Sequence, residues 1–554
     1  MIASIDTLPS GARLRADVCI VGGGAAGIAL ALRLEGRGLD VVLLEAGGRR
    51  RSSAAQGLYA GEVAAPALHS PTDHYRHRVL GGSTATWGGR CVPLDPIDFE
   101  ARDWIPYSGW PIRYETVAAY YPDALALAEA GDCDYRPETA VDGGMSPMIE
   151  GYRSEVFDQG NLERFSCPTD FGRRWAGRLA ENPRLKVLLD ANVTEIVTSP
   201  DGTRVDHLEI RTLAGKAFTL AAARVVLATG GLEVPRLLLA SRRYDPRGIG
   251  NARDWVGRTY MCHIAGSTAD VRFKPRGAGI DNGYARTWDG VYVRRRLHLA
   301  PEAQRRLRVG NIVLRLHHPR LPDPAHGRGI LSLIYLARPF IGYEYAKRLH
   351  GGTPLTARLA VRHALNVLGE GVEVGRFLAG WARRRTFAAR KFPSLVVQPQ
   401  NGAYTIDVHS EQAPNRDSRV TLSTRTDPFG MPRVRVDWRY LPVDIATVRT
   451  AIGALGEDLA ARGLADLTFD PEAVEADMLR DGAFGGHHIG TARMADTPER
   501  GVVDADCRVF GLANLYVASS AVFPTSGQAN PTLTIVALAL RLADHLAGLP
   551  RVAA

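Results

Sequence analysis

Cysteine is scarce, and it is never paired as metal or dithiol chemistry requires. Cys19, Cys91, Cys133, Cys167, Cys262 and Cys507 include no C-x-x-C spacing, which argues against a structural zinc site or a dithiol redox centre and for reduced, mostly packed thiols. No metal is expected. The first residues carry acidic Asp6 and an early Pro9 and no apolar run of signal-peptide kind, so a cytoplasmic setting is expected. A bilayer-spanning run is lacking too, because the apolar stretch from Leu331 to Tyr345 is broken by Arg338, Pro339 and Glu344. A formal charge of +9 is modest for 554 residues. It gives no reason to expect a nucleic-acid partner and fits a general attraction to anionic partners or surfaces. With 45% hydrophobic and 23% charged residues the chain is globular, and it is long enough for more than one core.

What is present begins near the N-terminus. Val18 to Val21 is a short apolar run that passes into Gly22-Gly23-Gly24-Ala25-Ala26-Gly27 and then an alanine- and leucine-rich segment, the pattern of strand, tight turn and helix. Gly22 permits the turn, Gly24 lets the backbone approach a pyrophosphate, and Gly27 allows helix to pack on strand. A second apolar run, Val41 to Leu44, ends in Glu45 at the spacing expected for a ribose 2′-hydroxyl contact. This frame binds a dinucleotide but does not choose between FAD and NAD. Further along, Lys186 to Val197 reads as strands before a Gly-containing turn, and Arg224 to Ala228 as a strand ending in Thr229-Gly230-Gly231. Residues 78 to 90, R-V-L-G-G-S-T-A-T-W-G-G-R, are too glycine-rich for a helix and suit close backbone approach to a flat ring.

Together with S-G-W-P-I at 108 to 112, V-G-R-T-Y-M-C-H ending at His263, and the block H-H-I-G-T-A-R-M…A-N-P-T-L-T, these segments resemble the glucose-methanol-choline (GMC) oxidoreductases over nearly the whole chain. The resemblance implies an FAD-dependent oxidation of an alcohol. The implied fold is α/β, a Rossmann-type FAD-binding domain with a discontinuous α+β substrate-binding domain on a mostly antiparallel sheet. Its expected divisions are 1–110 and 186–263 for the FAD-binding domain, 111–185 as a connecting segment, 264–480 for the substrate-binding domain and 481–554 for the catalytic segment and return. The family's base falls on His487 and its partner on Asn530. FAD contacts fall on Gly22, Gly24, Gly27, Glu45, Gly82, Ser83, Thr86, Trp87, Val193, Thr229, Gly230, Ser519, Pro531 and Thr532. Ser519 stands where many relatives have Asp, and Thr86 lies in the loop where some carry a flavin-linking histidine, so the FAD is expected to be non-covalent.

The residues supply reasons of their own. Pro531 opens a well-patterned apolar helix to Leu542, so Asn530 is expected as its N-cap. An imidazole near neutrality can take a hydroxyl proton while a neighbouring amide holds the oxygen. His488, shifted by one, is expected to point elsewhere, His263 to be structural, and Trp87, Tyr107 and Trp110 are candidates for the substrate-site lining. Glu411, Gln412 and Arg419 are expected at a solvated loop or strand end. A sugar or glycoside secondary hydroxyl is the favoured substrate; a primary alcohol, such as an aryl alcohol or aminoglycoside hydroxymethyl, and a flavin-retaining lyase or decarboxylase are the alternatives. The electron acceptor, whether oxygen, a quinone or a cytochrome, is left open. Residues 374–391 carry Arg376, Arg383, Arg384, Arg385, Arg390 and Lys391 among Phe377, Leu378, Trp381 and Phe387, with no acid. This predicts a basic amphipathic helix: a solvated face, a lid, or a peripheral contact with a membrane or redox partner.

Overall fold

The computed structural model describes residues 1–274, 279–341, 354–399, 402–481 and 486–550. Its larger sheet contains β1 (Ile2–Ser4), β2 (Arg13–Val21), β3 (Val41–Leu44), β4 (Leu185–Leu189), β5 (Asn192–Thr198), β6 (Val205–Arg211) and β7 (Ala217–Leu227), in the order β1-β4-β3-β2-β7-β6-β5. The first five in that order run parallel, and the short strand Leu515–Val517 joins β7 in parallel. Strands buried on both faces need unbroken apolar runs, which is why β3 is Val-Val-Leu-Leu with all four residues buried. Register does the positional work: Val21 pairs with Leu44 and with Leu227, and Leu227 with Val517. The strands therefore end level, and Gly22, Glu45, Thr229 and Ser519 emerge along one carboxyl edge, where doubly wound sheets bind ligands.

Helix α1 (Ala25–Arg33) follows the glycine turn, and α2 (Gly230–Ala240) follows β7. Pro235 inside α2 removes the N–H that would bond the Gly231 carbonyl. The Thr491 hydroxyl donates to that carbonyl instead, at 2.6 Å. A Cβ on Gly231 would lie 2.0 Å from the His488 carbonyl oxygen, so glycine lets the 487–491 segment lie directly on the helix.

The second sheet is antiparallel. It contains β8 (Ile264–Phe273), β9 (Leu297–Leu299), β10 (Ile312–His317), β11 (Ala403–Ser410) and β12 (Ala465–Thr468), ordered β12-β8-β11-β10-β9 and extended by Phe157–Asp158. Between β10 and β11 the chain forms α3 (Gly329–Leu336), α4 (Ala357–Gly369) and α5 (Gly371–Trp381), a small lobe with its own cluster around Ile330, Leu331 and Val374. Helix α6 (Pro442–Ala461) backs the sheet through Ile445, Val448, Ile452, Leu455 and Leu459. Helix α7 (Thr532–Gly548) returns to pack on α1. A four-stranded sheet of Arg90–Cys91, Leu162–Phe165, Tyr292–Arg295 and Ala285–Arg286 lies at the same end of the cavity as the base cluster described below.

Several expected boundaries move. The basic helix ends at Trp381 and passes into a π-helical turn over Ala382–Thr386. The glycine-rich 78–90 loop holds a 3₁₀ turn at Gly82–Ala85, tight enough for glycine where a full helix is not. The apolar stretch from Leu331 lies in α3, which ends at Leu336; residues 342 to 345 of that stretch lie outside the described residues.

Candidate active site

A cavity of about 2510 Å³ runs from the carboxyl edge of the first sheet to the face of the second. At the nucleotide end Gly22 has φ +110°, and a Cβ there would meet the Ala228 carbonyl oxygen at 2.6 Å. Gly24 borders the cavity, and a side chain on it would meet no protein atom within 4 Å. It is the opening through which a ligand reaches backbone and the N-terminus of α1. Gly27 is not at the cavity wall: its Cβ would fall 1.9 Å from the Gly22 carbonyl oxygen, so it packs helix on turn. The Glu45 carboxylate accepts from the Gly23 and Gly47 N–H groups, each at 2.8 Å, while burial pushes its acid up to about 7. It clamps the turn as well as bordering the cavity. Gly82, Ser83, Thr86, Trp87, Val193, Thr229, Gly230, Ser519, Pro531 and Thr532 all line the same cavity. Among the described residues, Thr229 Oγ1 and His488 Nε2 are buried there with no hydrogen-bond partner, as expected of donors and acceptors held for a bound group.

At the far end His487 and Asn530 meet. Asn530 Nδ2 lies 3.1 Å from His487 Nε2, and Arg90 donates to Asn530 Oδ1 at 3.4 Å. His487 Nδ1 lies 2.8 Å from His263 Nδ1. These contacts fix protonation by elimination. Arginine can only donate, so the Asn530 oxygen faces Arg90 and its amide N–H faces His487, leaving Nε2 as the unprotonated nitrogen and Nδ1–H as the donor to His263. Burial, reinforced by the Arg90 charge, pushes the His487 imidazole down to about 4, so it is neutral at pH 7. His409 stacks on His263 at 4.4 Å between centroids and is anchored by its Nδ1–H to the Gln528 carbonyl at 2.6 Å. Burial holds both of these imidazoles well below the usual histidine range.

Behind them stands a cluster not expected from sequence. Glu163 is completely buried and accepts from Arg294 at 2.9 Å and from Arg315 Nε at 2.9 Å, with Arg90 Nε at 3.7 Å. Burial alone would raise its carboxyl, but Arg315, Arg90 and Arg294 hold it well below the carboxylate range. Arg90, Arg294 and Asp407 border the cavity, making this wall polar. The available signal was the arginine closing the glycine loop at residue 90.

Other expectations change. Asn530 makes no capping bond; helix α7 starts at Thr532 with Pro531 in the cap position, because the Asn530 amide is engaged by His487 and Arg90. His488 also reaches the cavity, with Nδ1 2.7 Å from the Tyr260 hydroxyl, which lies 2.7 Å from His69 Nε2. His263 is more than structural packing, since it touches His487 directly. Trp110 is core, donating to Thr525 Oγ1 at 2.8 Å between Phe99 and Phe523, and Tyr107 sits outside the cavity on Trp255; of the three aromatics only Trp87 lines it. Glu411 and Gln412 are buried rather than solvated, Glu411 pairing with Arg102 at 2.6 Å and Gln412 bonding the Cys262 N–H at 2.7 Å.

A glycine cradle at the edge of a parallel sheet, opening onto a paired imidazole and amide, defines a dinucleotide-dependent oxidoreductase. Residues 17–333 match the FAD dependent oxidoreductase family and residues 414–539 the GMC oxidoreductase family. The chain is 25% identical to the 6'''-hydroxyparomomycin C oxidase of Streptomyces lividus, over 96% of this chain and 92% of the relative. It is also 25% identical to the 2-methyl-1,2-propanediol dehydrogenase of Mycolicibacterium austroafricanum, over 96% and 95%. The crystal structure of pyridoxine 4-oxidase from Mesorbium loti superposes with a TM-score of 0.54 at 18% identity, covering 96% of this chain and 98% of that one, a likeness of fold alone. The chain belongs to the FAD-dependent oxidoreductases, and its C-terminal part to the GMC oxidoreductases. FAD is its cofactor, and the cradle from Gly22 to Thr229 fits it.

Proposed function

We propose that this enzyme oxidises a secondary hydroxyl of a sugar or glycoside to a carbonyl, with His487 as the base and Asn530 holding the substrate oxygen. The observation that carries this reading is the hydrogen-bond order Arg90 to Asn530 to His487 to His263, which leaves Nε2 the unprotonated, accepting nitrogen. FAD, when bound, supplies the acceptor for the hydride lost from the carbinol carbon. A substrate hydroxyl entering between Asn530 and His487 replaces their 3.1 Å contact: it donates its proton to Nε2 and accepts from the amide N–H. General-base help of this kind is worth about 10²- to 10⁴-fold, and orientation of the oxygen adds to it. The charge arriving on His487 is shared through Nδ1–H with His263.

The polar wall of Arg90, Arg294, Asp407 and His409 offers donors and acceptors to a polyhydroxylated substrate, and two relatives spanning nearly the whole chain are named for oxidising hydroxylated small molecules. The FAD is held without a covalent link, since Thr86 offers no flavin-linking imidazole, and heat or acid precipitation of the protein should release all of it. Six unpaired cysteines, with Cys133 exposed, support a reducing, cytoplasmic setting.

Anaerobic mixing with sugars, glycosides, aryl alcohols and aminoglycosides tests the substrate class. Bleaching of the flavin by glycosides at secondary positions is expected; bleaching by primary alcohols alone would shift the substrate, and none with any alcohol would favour a lyase. Reoxidation with air, quinone or cytochrome then identifies the electron acceptor.

A further inference from the structure

Among the described residues, thirteen large hydrophobic side chains are at least 36% exposed, and eight of them fall between Phe340 and Phe387. Such concentration is foreign to a solvated surface, where exposed apolar residues scatter singly. Four of the eight are Val361, Leu365, Leu368 and Val372, spaced by four, three and four residues, so they form one stripe along α4 and across the break into α5. The opposite face is already used: His363 and Val374 are buried, and Phe377 packs in the lobe's own cluster. The two helices therefore have one face committed to the protein and one apolar face that no other element among the described residues covers. Phe340 and Phe387, 91% and 82% exposed, bound this region in sequence.

Charge selects the partner. Residues 354–391 hold eight basic side chains against two acids, Glu370 and Glu373. Glu370 is bound to Arg328 and the N–H of Gly329, and Glu373 has Arg376 at 3.8 Å. Arg358, Arg362, Arg376, Arg383, Arg384 and Lys391 are exposed alongside the stripe. A second copy of the chain docking by the same face would set cations against cations. An anionic lipid surface instead takes both components, the apolar stripe among acyl chains and the arginines among headgroups.

We infer that α4 and α5 form a peripheral docking surface for anionic membranes. No described helix is long and apolar enough to cross a bilayer, which makes the contact one of lying on the surface. Leu359, Phe377 and Trp381, on the face of the same helices turned away from the stripe, border the catalytic cavity, so docking sets the two helices between that cavity and the lipid.

The test uses the FAD-loaded enzyme with vesicles of phosphatidylcholine containing phosphatidylglycerol, and of phosphatidylcholine alone, in a sedimentation assay. Binding is expected to the anionic vesicles, weakening as salt rises. The double substitution Arg383→Gln with Arg384→Gln should weaken it about 30-fold, and Leu368→Asp should reduce it further, while flavin content and reduction by a water-soluble alcohol stay unchanged. Absence of binding to anionic vesicles, or binding that neither substitution alters, would overturn the assignment. So would a dimer in sedimentation equilibrium that Leu368→Asp dissociates, because a second copy would then cover the stripe.

Discussion

Arg90 touches neither proton nor hydride in the proposed reaction, yet it determines which nitrogen of His487 is free. Its guanidinium orients Asn530 and its charge lowers the imidazole. The sign follows directly: removing the charge raises the His487 pKa, so protonation silences the base at higher pH. Arg90→Met should therefore move the acid limb of the kcat/KM profile to higher pH and lower the rate, whereas Arg90→Lys, which keeps the charge, should leave the limb near its original place. An unshifted limb in Arg90→Met would remove Arg90 from this role. The pair His487 and Asn530 was legible in sequence because motif strings carry them. Arg90 was not legible as their organiser, because its partner Asn530 lies 440 positions away and nothing local in G-G-R specifies it.

At the level of elements, α2 and the 487–491 segment stabilise each other. Thr491→Val keeps the shape but leaves the Gly231 carbonyl without its hydroxyl donor, and should cost about 1–3 kcal/mol of stability, read as a lower urea midpoint. Gly231→Ala places a methyl 2.0 Å from the His488 carbonyl oxygen. The segment carrying His487 must then shift, and flavin reduction should fall while the far-ultraviolet circular dichroism stays the same; normal reduction would show that the close approach is dispensable. Strands such as Val41–Leu44 and the glycine turn were readable because their signals are local: an apolar run, a turn that needs positive φ, a helix start. The predicted Asn530 cap failed for the opposite reason. A free asparagine before proline favours capping, but tertiary partners outcompete the helix end for its amide. Trp110 and Tyr107 show the same limit, since an aromatic looks alike in sequence whether it meets core or cavity.

At the scale of the whole molecule the two largest sheets, unlike in topology, share one cavity wall, with Gly24 and Thr229 from the first and Asp407 and His409 from the second. A cofactor lying in that cavity binds only the folded chain, so FAD removal should lower Tm, and adding FAD back should raise it with the logarithm of its concentration; a Tm indifferent to FAD would mean that the cradle does not hold it. The parallel sheet was foreseen from its local strand and turn signals and the antiparallel sheet from the family resemblance; a basic amphipathic helix was expected at 374–391, but not the lobe of α3 to α5 or its exposed stripe, because periodicity reports that a helix is amphipathic without saying which face the protein covers. The central claim is that His487 takes the proton. It is tested most directly by stopped-flow reduction of the bound flavin under anaerobic conditions, with the alcohol that the substrate panel identifies. In His487→Ala the flavin should remain bound with its oxidised spectrum and be reduced about 10²- to 10⁴-fold more slowly than in wild type. Reduction at a near wild-type rate would contradict the account.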